Sequence, residues 1–333
     1  MYWRVTGMHL EVGRPMRGEA LERLRAFLDV CGLDYDDNVD FTAMLMEEDE
    51  ILAAGSLDGN TLKCIAVSPL HQGEGLAAPL MTALREEAFS RGLRHLMLFT
   101  KPGNDAMFRE FGFYPVIRTR DCLLMENRRR GLDTFLSELQ RPADSEGPVG
   151  CIVANCNPFT LGHRYLIETA AAQCRWLHVF ILSEDRSRFR PEDRIRLVRE
   201  GCADLKNVLI HPTGPYLISS ATFPSYFLRD RVRADSAHSE LDVRVFGEKF
   251  APALNITRRF VGTEPNCEVT RAYNEQLKAR LPQYGVELIE IERKNEGEAA
   301  ISASRVRACL DSGDLESIRP LVPPTTFEFL SRL

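Results

Sequence analysis

Leu21, Leu24, Phe27 and Leu28 recur at helical spacing and predict an amphipathic helix over residues 18–30. Residues 41–46 and 51–56 read as strands joined by an acidic turn, Glu47-Glu48-Asp49-Glu50. A strand over 62–67 runs into a glycine-containing loop, and a helix is expected over about 76–91. A strand at 96–100, a short helix near 105–110 and Phe111-Gly112-Phe113 follow. Leu132, Phe135, Leu136 and Leu139 then mark one more amphipathic helix.

Beyond residue 148 the pattern changes to strands alternating with helices. Strands are expected at 149–154, 176–182, 208–211, 243–246, 259–261 and 286–291. Helices are expected at about 164–174, 191–203 and 270–280. Pro191 suits a first helical turn, and Glu192 and Asp193 suit the positive helix end. This alternation implies a parallel sheet with helices on both faces. Between the two patterns, Gln140-Arg141-Pro142-Ala143-Asp144-Ser145-Glu146-Gly147-Pro148 has the composition of a linker.

The length of 333 residues, with 44% hydrophobic and 27% charged, suits about two globular domains rather than a disordered chain. The net charge of −6 carries no basic excess, so a nucleic-acid partner is not expected. No apolar run approaches the ~18 residues of a membrane span, and no signal-peptide stretch opens the chain. Neither a membrane partner nor a protein cage for a metal is expected. The nine cysteines include no Cys-x-x-Cys pair and read as reduced, mostly buried residues of a cytoplasmic protein.

Two segments carry chemistry. In the first, Gln72-Gly73-Glu74-Gly75-Leu76-Ala77 lies between a strand and a helix. Glycines there let backbone N–H groups approach a ligand, and the helix start offers unpaired N–H groups to phosphate. A structural turn is the other reading. With Asn104 and the later Phe-Gly-Phe, the segment resembles the GNAT acetyltransferase superfamily over about residues 40–118. The resemblance implies a CoA-like ligand held by Gln72, Gly73, Gly75, Ala77 and Asn104. It does not imply catalysis. Glu74 and Tyr114 are no more than candidates for a general base, and both read more readily as surface or packing residues.

The second is Asn157-Pro158-Phe159-Thr160-Leu161-Gly162-His163, again between a strand and a helix. Thr160 offers a hydroxyl, Gly162 a close approach, and His163 an imidazole N–H to a phosphate. Near the chain's end, Ser302, Ser304 and Arg307 supply two hydroxyls and a bidentate cation, which suit a β/γ-phosphate. Taken alone, His163 also reads as a packed or capping histidine and Ser302 as a helix cap. Together the segments resemble the cytidylyltransferase-like nucleotidyltransferases, with their (H/T)-x-G-H and I-S-x-(S/T)-x-x-R signatures. Thr160 stands where many members have His, and Ala303 replaces a hydroxyl found in some.

The GNAT-like region followed by these motifs resembles the citrate lyase ligase family. Residues 219–227, Phe246-Gly247-Glu248-Lys249-Phe250 and Val261-Gly262-Thr263-Glu264-Pro265 add to the likeness. The expected fold is a GNAT-like mixed α/β domain over residues 1–126, a helix and linker over 127–147, and a Rossmann-like parallel α/β nucleotidyltransferase domain over 148–333. The family's substrates would be ATP with Mg2+, acetate, and the citrate lyase acyl carrier subunit with its dephospho-CoA-derived arm. His163, Thr160 and Arg307 would be catalytic. Asn157, Pro158, Phe159, Gly162, Ser302, Ser304, Glu248 and Lys249 would contact ATP. Ser220 and Thr222 would contact acetate, with Lys249 a further candidate. Arg194, Arg196 and Arg199 share one expected helix, and at least two of them read as a solvated basic face rather than as phosphate contacts. Two other activities remain open at this point. One is a coenzyme-pathway adenylyltransferase. The other is a GNAT N-acetyltransferase fused to a nucleotide-binding domain.

Overall fold

The computed structural model describes residues 7–142, 146–184, 186–219, 222–264, 268–297 and 299–333. The chain forms two compact units. Met1–Leu132 joins Phe223–Leu241 in the first, and Asp133–Thr222 joins Asp242–Leu333 in the second.

The first unit is built on a sheet of β1 (Met8–Gly13), β2 (Phe41–Glu47), β3 (Glu50–Asp58), β4 (Thr61–Val67), β5 (Met97–Thr100), β6 (Tyr114–Arg118) and β7 (Leu123–Glu126). Their order is β1-β2-β3-β4-β5-β7-β6. Every pairing is antiparallel except β4 with β5. Helices α1 (Gly18–Val30), α2 (Ala77–Ser90) and α3 (Asp105–Glu110) accompany the sheet, together with the helical residues 231–241. Leu80, Leu84 and Ala88 of α2 are fully buried in a core with Leu45, Leu57, Leu98 and Leu123. Helix α2 comes close to β3 because Gly55 has no side chain, since a Cβ there would stand 2.8 Å from a Leu84 methyl. Lys63 is buried on β4, where its ammonium lies 2.7 Å from both Asp36 and Asp58. Paired in this way, the buried charge is compensated.

Strands β4 and β5 pair only at Thr61 with Met97 and Leu62 with Leu98, and then diverge. Tyr226, from the distant segment of this unit, is buried at that divergence. Its hydroxyl donates to the Phe99 carbonyl at 3.1 Å and lies within hydrogen-bonding reach of the Cys64 backbone. Phe223 packs edge-on against Phe99. The Asp34 N–H closes the wedge on the Tyr226 carbonyl at 2.8 Å.

The second unit contains α4 (Gly131–Glu138) from Asp133 onward, β8 (Val149–Ala154), α5 (Leu161–Ala171), β9 (Trp176–Ile181), α6 (Pro191–Gly201) and β10 (Val208–Pro212). Then come the end of α7 (Arg231–Val245), α8 (Ala251–Leu254), β11 (Arg258–Gly262), α9 (Glu268–Arg280), β12 (Glu287–Ile291), α10 (Ala303–Asp311) and α11 (Pro324–Leu330). Its five strands are all parallel in the order β10-β9-β8-β11-β12. Ile152, Ile167, Val179, Leu197 and Phe260 make the core between this sheet and its helices. The strand expected at 243–246 is instead the end of α7, which runs on into a π turn over Phe246–Phe250. Val243, Val245 and Phe246 are all fully buried. Residues buried all round give no period, so a short apolar run of this kind does not distinguish strand from helix in the sequence alone. The helix expected from 164 begins three residues earlier, at Leu161, because Thr160 caps it.

Buried in the second unit is a histidine pair. Nδ1 of His178 on β9 lies 2.9 Å from Nε2 of His211 on β10, with the rings stacked. Nε2 of His178 is buried without a hydrogen-bond partner. Burial holds the pKa of His178 at about 4 and that of His211 at about 3. Both therefore stay neutral in the fold, while in the unfolded chain they take up protons near pH ~6.5. Below that pH the unfolded state binds more protons, so stability falls as pH falls toward the folded values and is unaffected above. Urea unfolding should show a loss of roughly 2 kcal/mol or more between about pH 7 and about 4.5. The His178→Leu/His211→Leu variant should show a shallower slope, and an equal slope would contradict the assignment.

Candidate functional site

The site begins where β8 ends. Cys156 is buried with a left-handed backbone, φ 51°, and turns the chain out of the sheet. Phe159 is buried against Gly201 of α6, where a side chain would collide with its ring. Thr160 then takes the N-cap of α5 in an extended conformation. Its hydroxyl accepts the His163 backbone N–H at 3.3 Å, and its own backbone N–H donates to Nδ1 of His163 at 3.1 Å. This reciprocal capping box has a chemical consequence. A ring nitrogen that accepts a backbone N–H carries no proton, so the neutral imidazole holds its proton on Nε2. Burial, followed by the positive charge of Arg293, keeps the His163 pKa down at about 4. His163 is therefore a neutral Nε2–H donor at the start of a helix, where the unpaired N–H groups already favour an anion.

The second motif lies against the first. Ser302 caps α10 by accepting the Arg305 N–H at 3.2 Å. Arg307, on the first turns of that helix, donates Nη1 to the Asn157 carbonyl at 2.5 Å and Nη2 to the Ser304 hydroxyl at 3.0 Å. The Asn157 side-chain oxygen accepts the Phe189 N–H at 3.2 Å. A Cβ on Gly162 would stand 2.8 Å from the Ile301 carbonyl, so only glycine allows this approach. Residues 150 positions apart thus meet around one helix start. Pro158 is buried in the same loop.

Not every expected residue comes to this end of the sheet. Glu248 accepts from Arg244 at 2.7 Å and lies 3.5 Å from the Tyr284 hydroxyl, with Lys249 on the same π turn. Tyr284 leads into β12, whereas His163 follows the exit of β8. In a parallel sheet these are opposite ends, so the structure does not place Glu248 and Lys249 beside His163. Thr222 is at the correct end, but its hydroxyl donates to Glu184 at 2.6 Å. Ser219 donates to the same carboxylate at 2.8 Å. Ser220 lies outside the described residues. Of the three arginines on α6, two are solvated as expected and one is not. Arg194 is fully buried and gives Nε to the Phe189 carbonyl at 3.0 Å, Nη1 to the Asn155 carbonyl at 2.9 Å and Nη2 to the Glu184 carbonyl at 2.6 Å. It ties the exit of β8 to the loop after β9. Arg196 and Arg199 are exposed on α6, with Arg196 paired to Asp193.

In the first unit, Gly73 and Gly75 adopt φ +87° and +76°, with open space where a Cβ would be. Helix α2 then starts at Ala77 with no side-chain cap, and the Ala78 N–H donates to the Gly75 carbonyl at 3.1 Å. Gln72 is exposed, and Asn104 donates to the Thr100 hydroxyl at 2.8 Å. Glu74 lies 3.2 Å from Nδ1 of His71, and Tyr114 is exposed at the start of β6.

Among the described residues, no three or more His, Cys, Asp or Glu are grouped to hold a metal ion. The described cysteines are free thiols. Burial pushes Cys64 and Cys151 up to about 12 and Cys202 to about 11, which makes these thiols poor nucleophiles. Motif reading missed Arg194, Glu184 and Arg293, which lie outside any signature. Replacing a buried, fully bonded cation leaves its partners unpaired, so Arg194→Met should cost about 3–5 kcal/mol in urea unfolding. A cost below about 1 kcal/mol would contradict its role as a strut.

The family model for the citrate lyase ligase C-terminal domain matches residues 149–330, and that for the acetyltransferase (GNAT) family matches residues 18–113. The [citrate [pro-3S]-lyase] ligase of Klebsiella pneumoniae is 42% identical over 95% of this chain and 93% of its own. The Escherichia coli (strain K12) enzyme of that name is 41% identical over 94% of this chain and 91% of its own. The Haemophilus influenzae enzyme is 37% identical over 94% and 95%. No described helix is long and apolar enough to cross a membrane. A GNAT-like unit joined to a parallel α/β unit, with both motifs at one helix start, thus coincides with near full-length similarity to these ligases, and the chain belongs to the citrate lyase ligase family.

Proposed function

We propose that the chain uses ATP to acetylate the thiol of a CoA-derived arm on the citrate lyase acyl carrier subunit. An acetate oxygen attacks the α-phosphate and expels pyrophosphate, giving acetyl-adenylate. The carrier thiolate then attacks the acetyl carbon, forms the thioester and expels AMP, while the thiol proton passes to solvent. The observation that carries this reading is the contact between Arg307 and the Asn157 carbonyl, which brings both motifs to the start of α5.

In the first step, Nε2–H of His163 donates to an α-phosphate oxygen as charge builds there, and the first N–H groups of α5 support it. Arg307, with the hydroxyls of Ser304 and Ser302, receives the departing pyrophosphate. Gly162 keeps the floor of the site at backbone height. Mg2+ would enter on ATP, where it neutralises phosphate charge. Glu184 and Glu264 are already engaged with hydroxyls and with Arg293, which supports a metal carried by phosphate oxygens rather than by a protein cage.

The first unit supplies the arm's binding site in this reading. The Gly73–Gly75 loop and the uncapped start of α2 suit the arm's phosphates, with Gln72, Ala77 and Asn104 lining it. Tyr226 and Phe223 already fill the divergence between β4 and β5, which favours holding over acetyl transfer by this unit.

Acetate-dependent exchange of labelled pyrophosphate into ATP tests the adenylation step. It should occur in the wild type and fall by about 10²–10³-fold in His163→Ala, the usual loss for one preorganised donor. Exchange in that variant at the wild-type rate would contradict the role of His163. Gly75→Trp, with its fold checked by circular dichroism, should raise KM for the carrier by about tenfold, or about 1.4 kcal/mol. An unchanged KM would contradict arm binding by the first unit, and consumption of acetyl-CoA without ATP would favour a transferase.

A further inference from the structure

Arg293 follows the end of β12 and belongs to neither sequence motif. Its Nε donates to the Thr263 carbonyl at 2.7 Å, and its Nη2 pairs with Glu264 in the loop after β11. The pair is unequally exposed. The Glu264 side chain is 9% exposed and that of Arg293 32%, so the cation keeps a face toward solvent. The next residue links it to the site, since the Lys294 carbonyl accepts the Ile301 N–H at 2.9 Å. Ile301 is the residue whose carbonyl stands against Gly162. Arg293 is therefore carried on the strand end and loop that border the start of α5, and its charge is felt at the His163 ring.

Held by one carbonyl and one carboxylate, the guanidinium has N–H capacity to spare, since it carries five donors. A planar, permanently charged fork beside a helix start matches a phosphate better than any neutral neighbour. We propose that Arg293 contacts the β- and γ-phosphates of ATP, as a third donor beside His163 and Arg307, and that Glu264 keeps it aimed when no nucleotide is bound. The assignment deepens the function proposed above and rests on it. Its chemistry separates it from a contact to the base or ribose, because only the phosphate chain beyond the first differs between ATP and AMP.

Titration calorimetry with ATP and with AMP, in the absence of acetate, measures that difference directly. The wild type should bind ATP more tightly than AMP by tenfold or more, a ratio in the range of charge-assisted phosphate contacts. Arg293→Gln should bring the two affinities to within about threefold while AMP affinity is kept, which also shows that the variant is folded. Arg293→Lys should give an intermediate ratio, because a point charge replaces the fork. If Arg293→Gln keeps the wild-type ratio, Arg293 only braces the loop after β11 and the assignment is overturned. If Arg293→Gln fails to fold, the lysine variant decides, and a wild-type ratio in it overturns the assignment equally. If the wild type binds neither nucleotide, the proposed function falls, and the assignment falls with it.

Discussion

The second unit depends on one local constraint, the reciprocal pair of bonds between Thr160 and His163. The same three-residue spacing that caps α5 also sets the proton of His163. Nδ1 is committed to a backbone N–H, so Nε2 must be the donor. Burial keeps the ring neutral, and it therefore presents one directed N–H rather than a mobile charge. The threonine hydroxyl supplies the oxygen that accepts the N3 amide.

Around that constraint the parallel sheet supplies geometry. All five strands deliver their exits to one end, so loops far apart in sequence converge there. Two devices bring the loops into close register. Gly162 lets the Ile301 carbonyl come within the reach of a missing side chain, and Arg307 closes the contact through Asn157. Arg194 then fixes the neighbouring loop from beneath, through three backbone carbonyls. A buried arginine bonded in this way acts through the backbone it holds and does not reach the substrate itself.

Much of this was legible in the sequence where local physics sufficed. The alternation beyond residue 148 implied the parallel sheet, and the strand at Val149–Ala154 and the helix at Gly18–Val30 have the expected limits. The two signature segments were visible as motifs, and their contact rests on Gly162 and Arg307 as those motifs require. Elements without a clear period were not legible. Strand β7 is four buried residues, β1 is a half-exposed edge, and β6 contains Pro115. The short apolar run Val243–Phe246 suits a strand by its local sequence, yet it is the fully buried end of α7. Glu248 and Lys249 looked like site residues because of a likeness in local sequence, and only the three-dimensional path assigns them to the start of β12. The charge on Arg194 suggested solvent, because sequence does not show that three carbonyls await it. Arg293 belongs to no pattern at all, since its position comes from where β12 happens to end.

The central claim is that His163 is a neutral Nε2–H donor facing a phosphate, and histidine-selective 15N NMR tests it most directly. The account predicts a His163 ring protonated at Nε2 alone from about pH 8 down to about pH 5, below the ordinary histidine midpoint near ~6.5. ATP should shift that Nε2–H resonance and leave Nδ1 unprotonated. A ring that titrates near about 6.5, carries its proton on Nδ1, or does not respond to ATP would contradict the account.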